Sequence, residues 1–151
     1  MKAFIGFVLS ITMTSITMAQ HKKIIFVCEH GAGKSVIAAS YFNKMAKERN
    51  LDYVAECRGT NPDSVVSPGT KDGLTKDKIF DATIQPRKLL TADTANVERI
   101  ILFTPLPSYI SGPIKTENWS QIKNVDGDYS NRRDAIVKKI NELLDQLEKQ
   151  K

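Results

Sequence analysis

Apolar residues along this chain come in blocks, and their spacing changes from one block to the next. Ile24-Ile25-Phe26-Val27 is an unbroken apolar run, the pattern of a strand buried on both faces. Ile37, Tyr41 and Met45 then recur at four-residue spacing with Ala38 and Phe42 beside them. That spacing predicts an amphipathic helix reaching about Arg49, with Asn50 as its C-terminal cap. Tyr53 to Cys57 reads as a second strand, ended by the turn-forming Gly59-Thr60-Asn61-Pro62. Residues 61–96 are rich in Pro, Gly, Asp and Thr and predict one or two short helices. Ile100 to Phe103 predicts a third buried strand, stopped by Pro105 and Pro107. A weaker strand is expected near Trp119 to Ile122. The clearest helix comes last, with Ile136, Ile140, Leu143, Leu144 and Leu147 on one face. Strands alternating with helices predict an α/β layer with a parallel sheet.

The first nineteen residues follow another logic. Met1-Lys2 is a short positive start, and Ala3 to Ile11 is almost wholly apolar. Thr17-Met18-Ala19 then offers small residues at the −3 and −1 positions of a cut before Gln20. This is the three-part pattern of a secretory signal peptide. The apolar stretch is short for a bilayer span, and no Cys follows the cut to carry a lipid. The expectation is a leader over 1–19 and one domain over 20–151. The mature chain would be periplasmic or secreted, in an oxidising compartment, with no stable membrane anchor.

A chain of 151 residues leaves room for one domain, and 41% hydrophobic with 26% charged residues is a globular balance. The formal charge of +5 favours anionic ligands. The basic pairs Lys22-Lys23, Arg132-Arg133 and Lys138-Lys139 are far apart, so a nucleic-acid footprint is not expected. Two cysteines cannot build a disulfide framework and two histidines make a dedicated zinc site unexpected; no metal or cofactor is implied.

The chemistry is expected directly after the first strand, in Cys28-Glu29-His30-Gly31-Ala32-Gly33-Lys34-Ser35. A Gly-bearing loop between a buried strand and a helix start is an anion cradle, because successive N–H groups point into it and the helix dipole adds positive potential. A nucleotide-binding loop would need Gly five positions before Gly33, where Cys28 stands instead. The spacing found is C-x5-[cation]-S. A fixed cation and a helix N-terminus favour the thiolate form of a cysteine in that position. A thiolate at the floor of an oxyanion cradle is placed for in-line attack on a tetrahedral oxyanion.

These residues resemble those of the low-molecular-weight protein-tyrosine phosphatases and the related thioredoxin-coupled arsenate reductases. The likeness rests on Ile24 to Cys28, the five-residue loop and Lys34-Ser35. It continues through Gly59-Thr60-Asn61-Pro62, the run Ile100 to Thr104, Trp119, and Arg133-Asp134-Ala135-Ile136 at the start of the last helix. The resemblance implies a single α/β domain with a four-stranded parallel sheet flanked by helices. It implies Cys28 as nucleophile, the backbone amides of Glu29, His30, Gly31, Ala32, Gly33 and Lys34 as a phosphate cradle, and Ser35 as a hydroxyl steadying the thiolate. The implied activity is hydrolysis of phosphomonoesters, phosphotyrosine among them, through a cysteinyl-phosphate.

Three departures open alternatives. The family's loop ends in Arg, whose planar fork grips two phosphoryl oxygens, whereas Lys34 brings a point charge. The Asp-Pro general acid is not cleanly present; Asp126, with Asp128 beside it, is the candidate. No cysteine follows Cys57, so the late thiol cascade of the reductases is absent. A degenerate oxyanion-binding protein with little turnover, or an arsenate reductase-like thiol enzyme, are the other readings. Cys57 is the candidate redox partner of Cys28, on the expectation that both strands end at the same edge.

Overall fold

The structure is a computed structural model and describes residues 21–123 and 128–150. The expected leader at 1–19 and the candidate acid Asp126 lie outside the described residues. The elements run β1 (Lys22–Cys28), α1 (Lys34–Glu48), β2 (Tyr53–Gly59), α2 (Pro68–Lys76), a 3-10 turn (Thr91–Thr94), β3 (Val97–Leu102), β4 (Thr116–Asn118) and α3 (Tyr129–Glu148). The four strands form one sheet in the order β2-β1-β3-β4, and each neighbouring pair is parallel.

Period-two alternation divides the central strands between two cores. Ile24, Phe26 and Cys28 of β1 face one side, with Ile101 and Phe103 from β3 and its end. That side is covered by α1, α2 and α3, through residues such as Ile37, Phe42, Leu74, Ile136 and Leu143. Ile25 and Val27 face the other side with Ile100 and Leu102, covered by Leu89 and Ile110 from irregular chain. Burial on both faces accounts for the unbroken apolar runs of β1 and β3.

The five expected residues of α3 are all buried, and Asp128 caps it by accepting from the Ser130 amide at 2.8 Å. In α1 the buried stripe centres on Ala38, Phe42 and Ala46, with Tyr41 and Met45 at its margin. Asn50 follows the helix at φ 53, a left-handed value that Asn tolerates. The fourth strand differs from expectation. It ends before Trp119, because the Asn118 side chain accepts from the Ser120 amide at 2.8 Å and turns the chain. Trp119 and Ile122 sit in that turn, joined by an amide-to-carbonyl bond of 3.0 Å, and both are buried.

The order β2-β1-β3 also fixes where a ligand can bind. The chain leaves β1 toward β2 on one side, and β3 joins β1 on the other. Beyond the carboxyl ends of β1 and β3 the connections diverge, and the crevice opens there.

Candidate active site

Cys28 is the last residue of β1, and the loop after it folds over the strand end before α1 begins at Lys34. The loop is held from outside by its carbonyl groups. Thr60, Asn61, Asp63 and Ser67 donate their amides to the carbonyls of Cys28, Glu29, His30 and Ala32, at 3.1, 2.8, 3.0 and 3.0 Å. Gly33 accepts from Ile37 of α1 at 3.0 Å. Among the described residues the amides of Glu29 to Lys34 have no protein acceptor. Carbonyls turned outward and amides left free make a nest that suits a tetrahedral oxyanion.

Two glycines make this arrangement possible. Gly31 has φ 59, which L side chains adopt at a cost. It also backs onto Gly59, so closely that a Cβ on either residue would lie 2.9 Å from the backbone nitrogen of the other. The Gly59-Thr60-Asn61-Pro62 turn is therefore the outer strut of the loop.

Cys28 lies on the helix side of the sheet, and its Sγ is 3.0 Å from the Ser35 hydroxyl. Both side chains are buried, so each is the other's hydrogen-bond partner, with either the thiol or the hydroxyl donating. Cys28, Glu29, His30, Ala32, Gly33 and Lys34 border a cleft of about 390 Å³, and Asp63, Ser67, Phe103, Thr104 and Arg132 complete it. The Lys34 ammonium donates to the Ile122 carbonyl at 3.1 Å and lies 5.6 Å from the Phe103 ring centre. Burial pushes its pKa below the ordinary lysine range; Cys28 opposes this and the Arg132 guanidinium adds to it. His30 sits at the rim, exposed, with Nδ1 3.2 Å from Asp63 and Nε2 3.9 Å from Glu29.

Cys57 lies elsewhere. The β1–β2 register pairs it with Phe26, while Cys28 pairs with Gly59, so Cys57 is two residues back along β2 and does not end the strand. A parallel sheet spaces such diagonal partners by roughly 8 Å between Cα atoms, beyond the reach of a disulfide. Both cysteines are free. Cys57 instead borders a second cleft of about 420 Å³ with Asn43, Arg58 and Arg87, and burial pushes its thiol pKa up. That cleft holds no nucleophile beside a free-amide nest.

Asp128, the other candidate acid, caps α3 by accepting from the Ser130 amide through Oδ1. Asp63 and Arg132 border the cleft, although the sequence did not mark either as a site residue. Arg132 did carry a signal: a cation in a first helical turn opposes the helix dipole, and that turn holds no acid. Among the described residues no group of three or more His, Cys, Asp or Glu side chains could hold a metal ion.

No protein-family model matches the sequence, and no curated protein matches it. Solved structures do. The chain aligns with YfkJ from Bacillus subtilis at a TM-score of 0.75 and 16% identity, over 89% of this chain and 99% of that one. A low-molecular-weight protein tyrosine phosphatase from Bacillus subtilis aligns at a TM-score of 0.71 and 18% identity, over 84% and 97%. This is the low-molecular-weight phosphatase fold. The thioredoxin-dependent arsenate reductase of Corynebacterium glutamicum shares it, at a TM-score of 0.68 and 16% identity, over 89% of this chain and 65% of that one.

Proposed function

We propose that this protein is a cysteine-dependent phosphatase acting on phosphomonoesters. The observation that carries the reading is the Cys28 thiol at the floor of a nest whose amides have no acceptor among the described residues, with the Ser35 hydroxyl 3.0 Å from it. In the first step the Cys28 sulfur bonds to phosphorus as the bond to the ester oxygen breaks, and the leaving oxygen takes a proton from a general acid. Asp126 is the proposed acid, on sequence alone. Water then attacks phosphorus, the S–P bond breaks, and inorganic phosphate and the thiolate are released. The nest amides, Lys34 and the α1 N-terminus stabilise the charge that gathers on the phosphoryl oxygens. Ser35 donates to the thiolate as it leaves.

The same reading has the chain exported and cut after Ala19, on the pattern of residues 1–19. Purified protein under reducing conditions should release phosphate from an aryl phosphate, and Cys28→Ser should abolish this. A wild-type rate no higher than that of the variant overturns the reading.

One observation favours a second reading, an oxyanion-binding protein with little turnover. Lys34 already donates to the Ile122 carbonyl, so its single charge is partly committed before a ligand arrives. Calorimetric binding of inorganic phosphate without Cys28-dependent hydrolysis would select it.

A further inference from the structure

Six arginines occur in the chain, at 49, 58, 87, 99, 132 and 133. Arg49, Arg58, Arg87, Arg99 and Arg133 each lie within ion-pair distance of a carboxylate, the nearest partners being Asp145, Glu56, Glu56, Glu117 and Asp134. Arg132 has no carboxylate partner among the described residues, and its Nε is buried without a hydrogen-bond partner. It is also the arginine that borders the cleft with Cys28 and Lys34. Its Nη1 comes within 3.7 Å of the point where a side chain at Gly33 would begin, so the guanidinium reaches over the end of the loop.

This location is unfavourable on local grounds. The residue sits in the first turn of α3, where the helix dipole repels a cation, and it lies close enough to Lys34 to depress that ammonium. Two cations at one cleft repel each other, even with the Glu29 and Asp63 carboxylates at its border, and that cost falls when an anion enters between them. Local rules broken together at one place mark a functional position.

We infer that Arg132 grips the oxyanion in the Cys28 cleft, supplying from α3 the planar guanidinium that Lys34 does not supply from the loop. This rests on the proposed oxyanion site but not on turnover. Where a loop arginine would present its fork along the chain that forms the nest, here the fork comes across the cleft from a separate helix, with Lys34 as a point charge beside it. The ligand class is a tetrahedral dianion with two free oxygens on one side, as a phosphomonoester or inorganic phosphate presents.

The test is calorimetric titration of the reduced, full-length protein with inorganic phosphate, alongside aryl phosphate kinetics. Arg132→Ala should weaken phosphate binding by about tenfold or more, the worth of a charge-assisted fork. Arg132→Lys, which keeps the charge and loses the fork, should recover only part of it. Arg133→Gln removes the same charge one residue away, where the side chain pairs with Asp134 and Asp77, and should leave phosphate affinity within about twofold. Lys34→Arg placed in the Arg132→Ala background should restore affinity toward wild type. Equal phosphate affinity in wild type and Arg132→Ala overturns the inference even if the enzyme turns over. Phosphate binding that depends on Arg132 without any Cys28-dependent hydrolysis upholds it while removing the phosphatase reading. A wild type that binds no phosphate removes both.

Discussion

Replacing Gly59 by alanine puts a methyl group against the back of the anion nest while leaving every residue proposed to act in it unchanged. The new Cβ would lie 2.9 Å from the Gly31 nitrogen, 3.0 Å from the Glu29 carbonyl oxygen and 3.1 Å from the His30 carbonyl carbon. Ordinary contact begins at 3.4 Å, so strand and loop must part by 3.4 − 2.9, or 0.5 Å. All three obstacles are backbone, and none can rotate aside. Overpacking of this kind costs about 1–3 kcal/mol. For a domain of this size that corresponds to a fall in Tm of about 3–10 °C. The displaced atoms are also those that aim the amides. If the amides of Glu29, His30 and Gly31 each lose part of a charge-assisted bond, a total near 2 kcal/mol weakens oxyanion binding about 30-fold. The assay is a thermal melt with and without inorganic phosphate, backed by calorimetry. Gly69→Ala is the matched control: it lies in α2 with nothing within 4 Å of its Cβ, and alanine there should raise stability slightly. A Gly59→Ala protein with wild-type Tm and wild-type phosphate affinity would refute the claim that this contact shapes the nest.

Other outcomes follow from named contacts. Ser35→Ala removes the hydroxyl 3.0 Å from Cys28 and should slow aryl phosphate turnover by about 10- to 100-fold with little change in phosphate affinity, read from kcat against Kd. Asp77 accepts from Tyr41 and Tyr129, each at 2.6 Å, and pairs with Arg133 at 3.4 Å; burial opposes its ionisation, yet these partners hold its carboxyl below the ordinary value of 3.8. Its stabilisation is therefore full above pH 3.8 and is lost as the pH falls through the lower folded value. Asp77→Asn should cost about 1–3 kcal/mol at pH 7, with melting curves of variant and wild type converging in acid. Burial and the same carboxylate push the Tyr41 phenol up to about 12, so an alkaline difference spectrum should show it ionising late, and earlier in Asp77→Asn. Protein isolated in air should titrate two thiols, because the register keeps Cys57 a step away from Cys28; a stable intramolecular disulfide would contradict that register.

The elements with strong periodicity were legible in the chain. Ile24 to Val27 and Ile100 to Phe103 are apolar because both faces of β1 and β3 are covered, and that condition writes itself into consecutive residues. The α3 stripe is equally plain, since one face packs and the rest meets water. Three-residue β4 left no such trace. Its Thr116-Glu117-Asn118 alternates without an apolar residue, and the buried Trp119 just beyond it drew the expected strand too far along the chain. The contact between Cys28 and Ser35 was legible because a loop is local: the two are seven residues apart and meet through one turn. Arg132 was not, since it reaches the cleft across more than ninety residues of chain. Cys57 misled for a related reason. Strand register decides which residues are neighbours, and a shift of two positions is invisible before the ladder is known.

Trp119 is the chain's one tryptophan and is wholly buried, with its indole N–H donating to Glu117 at 2.7 Å. Its ring lies 5.8 Å from that of Phe103, which borders the cleft, and 5.7 Å from that of Phe26 in the core. The protein thus contains a single indole that packs on a cleft residue on one side and on the interior on the other. Its emission should be blue-shifted in the folded state and move to the red on unfolding, with no second indole to blur the transition. Because Phe103 also carries the Lys34 ammonium over its face, an anion that draws Lys34 away changes the electrostatic field at the indole. If the cleft takes an oxyanion, excitation of Trp119 should report its occupancy and global folding in the same cuvette, without a label.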